Sequence, residues 1–181
     1  MANDRSLVLG ASGFVGRHLL RALGAEKGVG TCHATSLPGA IPFDALTDDI
    51  GTLIDEHGPF GRAYILLAES RIDRCATEPE RTFALNVDSV CRIVDTLQKR
   101  GILPIFASTD CVFDGDHGGY GEADSAHPIL TYGRQKLDVE RYLAASGAPY
   151  IAARLSKVVD ADPAGTGMLG EWVRAIQNRR K

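Results

Sequence analysis

Apolar positions along the chain recur at two alternating periods. Ser6-Leu7-Val8-Leu9 is a short apolar run ending at Gly10, and Phe14, Val15, Leu19, Leu20 and Leu23 then fall on one face at helical spacing. This predicts a strand to Gly10 and a helix from about Phe14 to Leu23, ended by Gly24 and Gly28. Residues 29–34 predict a second strand, and residues 36–46 a loop rich in Pro and Gly. Thr47 or Asp48 can cap a helix through about Glu56, with Ile50, Leu53 and Ile54 as its apolar face and Gly58-Pro59 as its stop. Residues 63–68 are a continuous apolar run, as a strand buried on both faces requires. From about Pro79 to Arg100, Phe83, Val87, Val90, Val94 and Leu97 share one face and predict a single long helix. Residues 103–109 predict a strand, 110–131 a long glycine-rich loop, about 132–146 a helix, 150–155 a strand and about 168–178 an amphipathic helix.

Strand and helix alternate throughout, which predicts an α/β fold: a Rossmann-type, doubly wound parallel sheet of about six strands in the order 3-2-1-4-5-6. Ligands of such sheets sit at the carboxyl ends of the strands, where Gly10, Ala68, Thr109 and Leu155 become neighbours. The length of 181 residues fits one globular domain.

Composition narrows the picture by exclusion. A formal net charge of -3 without a long basic run speaks against a nucleic-acid partner. No apolar stretch approaches the roughly 20 residues that span a bilayer, and no signal peptide is read ahead of the first strand, so a cytoplasmic protein is expected. Cys32, Cys75, Cys91 and Cys111 show no CxxC spacing and no histidine cluster; they read as reduced packing residues, and no metal site is expected.

The candidate chemistry begins at the first turn, where Gly10, Gly13 and Gly16 are spaced G-x-x-G-x-x-G between a strand and a helix. Gly10 can make the tight turn, Gly13 lets a pyrophosphate approach its backbone, and Gly16 lets helix and strand pack closely. Unpaired N–H groups at the helix start then face the phosphates, so Gly10, Ser12, Gly13, Phe14, Val15 and Gly16 form the expected cradle. No acid ends the second strand to take the ribose hydroxyls, and Arg17, His33, Thr35 and Ser36 are available to hold a 2′-phosphate. The expected cofactor is NADP or NAD, with a slight preference for NADP. His33, Asp44, Ala68, Tyr132 and Lys136 complete the expected cofactor-binding set. Tyr132 and Lys136 lie at i and i+4 on one helix face, so the ammonium is expected to lower the pKa of the phenol and fit it for proton donation.

Together, Gly10–Gly16, Ser108-Thr109 and Tyr132–Lys136 resemble an extended short-chain dehydrogenase/reductase. The stretch Ala107-Ser108-Thr109-Asp110-Cys111-Val112-Phe113-Asp114-Gly115 resembles the strand-end motif of the dTDP-4-dehydrorhamnose reductase family and its sugar-nucleotide-modifying relatives. Tyr120, Glu122, Pro128, Gly133 and Glu140 continue the match, as do Asp73, Pro79 and Asn86-Val87, over residues 5 to about 160. The resemblance implies a catalytic set of Tyr132 as acid, Lys136 as its partner and ribose clamp, and Thr109 polarising the substrate oxygen, with Ser108 the alternative hydroxyl. It implies NAD(P)H-dependent reduction of a keto group on a nucleotide-linked sugar.

Three departures from the pattern stand out. Residues 66–70 read Leu-Leu-Ala-Glu-Ser where the family has Asn-Ala-Ala or similar; Glu69 is either a substrate contact or general base, or it points to solvent. Cys111 replaces a family tyrosine. Family members are longer, so residues 1–160 are expected to form the cofactor domain with the Tyr/Lys pair, and 161–181 the start of a substrate-binding lobe that is largely missing. Two other functions stay open. One is a non-catalytic NAD(P)-binding regulatory subunit, like the one known for methionine adenosyltransferase. The other is a sugar-nucleotide epimerase or dehydratase, although Asp110 lacks the following Glu that dehydration uses. The expected partner is a nucleotide-sugar substrate, with a homodimer or a partner subunit also open.

Overall fold

The structure, a computed structural model, describes residues 4–159 and 168–179. In chain order it consists of β1 (Ser6–Leu9), α1 (Phe14–Leu23), β2 (Gly28–Cys32), β3 (Ile41–Pro42), α2 (Ile50–His57), β4 (Arg62–Ile65), α3 (Ile72–Thr77), α4 (Pro79–Phe83), α5 (Ser89–Lys99), β5 (Leu103–Thr109), α6 (Thr131–Ala145), β6 (Ile151–Leu155) and α7 (Met168–Arg179). The six strands form one sheet in the order β3-β2-β1-β4-β5-β6, parallel at every pairing. This is the order predicted from the alternation. Of residues 161–181, read as the start of a substrate lobe, 168–179 are described and form α7; the rest lie outside the described residues.

Most of the core lies on one face of the sheet. Leu7, Leu9, Ala63, Ile65 and Phe106 from the strands pack against Ile50, Leu53 and Ile54 of α2, Val90, Ile93, Val94 and Leu97 of α5, and Val139 and Leu143 of α6. Each of the Val, Leu, Ile and Phe side chains contributes roughly 1.5–3 kcal/mol when fully buried. On the other face α1 covers β1 and β2, and Gly30 is the reason it can sit so low: a Cβ there would lie 2.7 Å from that of Ala11 and 3.0 Å from Leu20 Cδ2.

Four elements differ from the sequence reading. The segment read as a loop at 36–46 holds the sixth strand, β3, which pairs Ile41 with Thr31 and Pro42 with Cys32. Two residues show no alternation, and Pro42 is tolerated because the strand is an edge. The strand read over 63–68 ends at Ile65; Leu66 N–H still donates to Leu9 O at 3.0 Å, but by Glu69 the backbone has turned to a side-chain partner. A short helix, α3, precedes the long one. The long helix itself is not uniform: α4 runs into α5 through one π turn at Ala84–Asp88. That turn delivers Asn86, an amide in an apolar stretch, to polar partners in the interior.

Candidate active site

The glycine turn is built as its spacing predicts. Gly10 has φ +84°, and a Cβ on it would lie 2.9 Å from Leu67 N, so both conformation and space require glycine. A Cβ on Gly16 would lie 2.5 Å from Gly10 O. Gly13 differs: its Cβ would meet only Gly10 O, at 3.3 Å, and is otherwise open. No side chain caps α1, and its first turn carries no acid. The N–H groups and positive dipole end are therefore presented to an anion without competition. This open cradle fits a dinucleotide pyrophosphate.

Tyr132 and Lys136 stand at the start of α6, beside the carboxyl end of β5. Gly133 makes this position possible: a Cβ there would lie 2.1 Å from Cys111 O, so only glycine lets α6 rest on the turn at Asp110–Val112. Lys136 is almost fully buried and donates from Nζ to Ala107 O at 2.9 Å. Its ammonium lies 4.5 Å from the centre of the Phe106 ring and 5.7 Å from that of Tyr132. Burial lowers the Lys136 pKa to about 8. The phenol does not follow the sequence expectation of a lowered pKa. Burial, then Cys111, Cys75 and Asp110, push Tyr132 up to about 12, because its neighbours are thiols and a carboxylate while the ammonium is turned to a carbonyl.

Thr109 and Ser108 point to opposite faces of β5 by strand alternation. Thr109 Oγ1 accepts the Cys111 N–H at 3.2 Å and donates to Asp110 Oδ1 at 3.2 Å, holding the turn below Tyr132. Ser108 donates from Oγ to Glu140 Oε1 inside the protein. The two hydroxyls thus have different partners, Ser108 one on α6 and Thr109 the turn that follows the strand.

Glu69 is held by two arginines. Its carboxylate takes Arg71 Nη2 at 2.9 Å and Arg74 Nη1 at 3.2 Å, and the Arg71 hydrogen bond above all lowers its pKa to about 2. A group so strongly held as a carboxylate is a poor general base. Beneath it, Asn86 bonds the Glu69 backbone and donates to Gln135 Oε1 at 2.8 Å, while Gln135 Nε2 donates to Thr82 Oγ1 at 2.9 Å. The sequence singled out neither the Asn86–Gln135 bridge nor Arg154, which pairs with Glu140. The available signal was a Gln between the Tyr and the Lys of one helix face.

His33 and Asp44, expected to bind cofactor, come together just after the ends of β2 and β3: His33 Nε2 lies 3.5 Å from Asp44 Oδ2. β2 ends without an acid, but the turn after β3 brings one beside it. Cys111 lines a groove of about 1340 Å3 together with Asp110, Phe113, Tyr120, Leu137 and Arg154. This groove meets the Tyr132 site through Asp110 and Cys111. Among the described residues no helix is long and apolar enough to cross a membrane, and no cluster of His, Cys, Asp or Glu could hold a metal ion.

A family profile described as RmlD substrate binding domain matches residues 4–181. The probable low-salt glycan biosynthesis reductase Agl14 of Haloferax volcanii is 30% identical over 178 residues, covering 93% of this chain and 59% of the relative. Methionine adenosyltransferase 2 subunit beta of Pongo abelii is 30% identical over 142 residues, covering 77% of this chain and 42% of that protein. A solved dTDP-4-dehydrorhamnose reductase from Bacillus anthracis, in complex with NADP, shares the fold at TM-score 0.80 and 23% identity, covering 99% of this chain and 62% of its own. The chain thus spans between two fifths and two thirds of these three proteins.

Proposed function

Taking as premise that the chain belongs to the RmlD substrate binding domain family, we propose that it carries the cofactor site and proton donor of an NAD(P)H-dependent reductase acting on a keto group of a nucleotide-linked sugar. The observation that carries this reading is the convergence of Tyr132, Lys136 and Thr109 at one strand end of a sheet whose first turn is an open glycine cradle. Residues 1–160 would form the cofactor domain, with a substrate lobe starting at 161–181. Gly10, Ser12, Gly13, Phe14, Val15 and Gly16 would hold the pyrophosphate, Ala68 would line the wall beside them, and His33 and Asp44 would flank the adenosine ribose. NADP and NAD both suit this cradle. The lean toward NADP rests on the missing acid at the end of β2 and on His33, which would serve as a donor to a 2′-phosphate.

A bound reduced nicotinamide supplies the hydride. Thr109 Oγ1 would orient the carbonyl oxygen, and Tyr132 Oη would give its proton to the alkoxide as the oxygen gains charge. A phenol near 12 still lies well below an alkoxide, so the transfer is downhill. To stabilise the phenolate left behind and hold ribose hydroxyls, the Lys136 ammonium would have to turn from Ala107 O toward the cleft. The groove at Asp110, Cys111 and Arg154 offers the volume that a substrate larger than a simple ketone needs.

A second reading, a non-catalytic NAD(P)-binding subunit, is favoured by the likeness to the methionine adenosyltransferase subunits. Both readings require cofactor binding; only the first requires Tyr132 chemistry. Titration of the chain with NADPH and NADH tests the shared premise: saturable binding is expected, and no binding at about millimolar cofactor, a weak limit in free energy, reduces the glycine turn to a purely structural feature.

A further inference from the structure

We propose that Glu140 is a positioning residue of the Tyr132–Lys136 site, supporting the Lys136 ammonium from one helical turn away, with Arg154 as the counterweight that divides its charge. This deepens the reductase reading, since it concerns the partner of the proton donor.

Glu140 joins three elements around one buried carboxylate. It stands at i+4 from Lys136 on α6, so the two side chains share a face. Its Oε1 accepts from Ser108 Oγ on β5. On β6, Arg154 donates from Nη2 to Oε2 at 2.7 Å and from Nε to Oε1 at 3.1 Å, a bidentate pair. Arg154 is itself fixed, with its guanidinium 5.0 Å from the centre of the Phe113 ring and Nη1 3.5 Å from Glu122 O. Ser108 lies between Ala107, whose carbonyl takes the Lys136 ammonium, and Thr109. A single carboxylate therefore ties the lysine's helix to the strand end that carries the threonine.

The surroundings of Lys136 leave this task to Glu140. From α3 it faces the Cys75 thiol, and from β5 a carbonyl and the Phe106 ring. Tyr132 and Glu140 face it from its own helix. Asp110 and Cys111 in the turn after β5 bear on Tyr132. Arg71 and Arg74 are bound to Glu69. Burial opposes the ammonium, and Cys75, then Glu140, favour it. Cys75 helps only when ionised, and burial raises its pKa from that of an ordinary thiol.

The signs of two substitutions follow. In Glu140→Gln the carboxylate charge is gone, so Lys136 gives up its proton at lower pH. In Arg154→Met the carboxylate remains and its field is no longer shared, so Lys136 keeps its proton to higher pH. A purely structural role would move the lysine in the same direction in both variants, or in neither.

The test uses the whole chain labelled with 13C-lysine, with the Lys136 Cε resonance assigned by Lys136→Met and followed through a pH titration. The midpoint should fall by about one pH unit in Glu140→Gln and rise by about half a unit to one unit in Arg154→Met. Unchanged midpoints, or shifts of the same sign, overturn the proposal. Should Glu140→Gln not fold, a midpoint that fails to rise in Arg154→Met still overturns it. The readout needs neither cofactor nor substrate. Opposite shifts in a chain that binds no NADPH would therefore reject the reductase reading and leave the Glu140 support standing.

Discussion

Asn86 brackets the backbone of Glu69 with both ends of its amide: the Glu69 N–H donates to Oδ1 at 2.8 Å, and Nδ2 donates to the Glu69 carbonyl at 2.9 Å. The segment from Leu66 to Ser70 leaves the sheet here, and Asn86 stands in for the strand partner it lost. Leu67 in that segment closes against Gly10, so the amide also sets the wall of the glycine turn. Asn86→Ala leaves several buried polar groups without partners, at about 1–3 kcal/mol each when unsatisfied. Urea unfolding should show a loss of roughly 2–4 kcal/mol, with the interior network lowering the sum below full additivity. NADPH affinity should fall alongside it.

The three glycines of the first turn should separate folding from binding. Gly16→Val drives a side chain into Gly10 O, backbone that cannot give way, and should prevent a cooperative native transition in thermal melts. Gly13→Val meets little protein and should keep the melting transition within a few degrees, which corresponds to about 1 kcal/mol or less. It should nevertheless abolish NADPH binding in titration, because the side chain occupies the cradle.

Lys136 should be held at a cost in stability. Its folded pKa, about 8, lies below the usual 10.5. The unfolded chain therefore binds a proton in that interval that the folded chain binds less readily. The penalty is fully present below about 8 and fades as pH rises toward 10.5. Lys136→Met should raise the unfolding free energy at pH 7 by up to about 3 kcal/mol, and the gain should shrink above pH 8. The same variant should weaken cofactor binding. A loss of stability at pH 7 would contradict this.

His33→Ala should discriminate between cofactors. His33 sits 3.5 Å from Asp44, and without the imidazole the Asp44 carboxylate would face a 2′-phosphate directly. NADPH affinity should drop by about tenfold, equal to about 1.4 kcal/mol, with NADH changed little. Equal losses for both cofactors would remove His33 from phosphate recognition.

Much of this was legible in the chain itself. α1 begins and ends where the spacing of Phe14 to Leu23 and the glycines place it, and β5 spans residues 103–109 as read. Such elements announce themselves because local pattern and tertiary burial agree. β3 escaped because Ile41-Pro42 owes its strand geometry to pairing with β2 alone. The π turn at Ala84–Asp88 escaped because what stabilises it, the bonds from Asn86 to Glu69 and Gln135, spans 17 and 49 residues. The spacing of Tyr132 and Lys136 gave their shared face but not their electrostatics. Whether an ammonium lowers a neighbouring pKa depends on where its hydrogen bond goes, and here it goes to Ala107. Ser108 and Thr109 show the same limit: adjacent hydroxyls in the sequence, they turn to Glu140 and to Asp110.

Tyr132 carries the central claim, since the reductase and the non-catalytic readings part at its hydroxyl. The decisive measurement is single-turnover oxidation of NADPH by a full-length or complemented form, with a nucleotide-linked keto sugar in excess, Tyr132→Phe against the native sequence, with NADPH affinity measured in parallel. Loss of a positioned proton donor typically costs about 10²–10⁴ in rate. A loss of that size with NADPH affinity unchanged is the predicted result; an undiminished rate in Tyr132→Phe would contradict it.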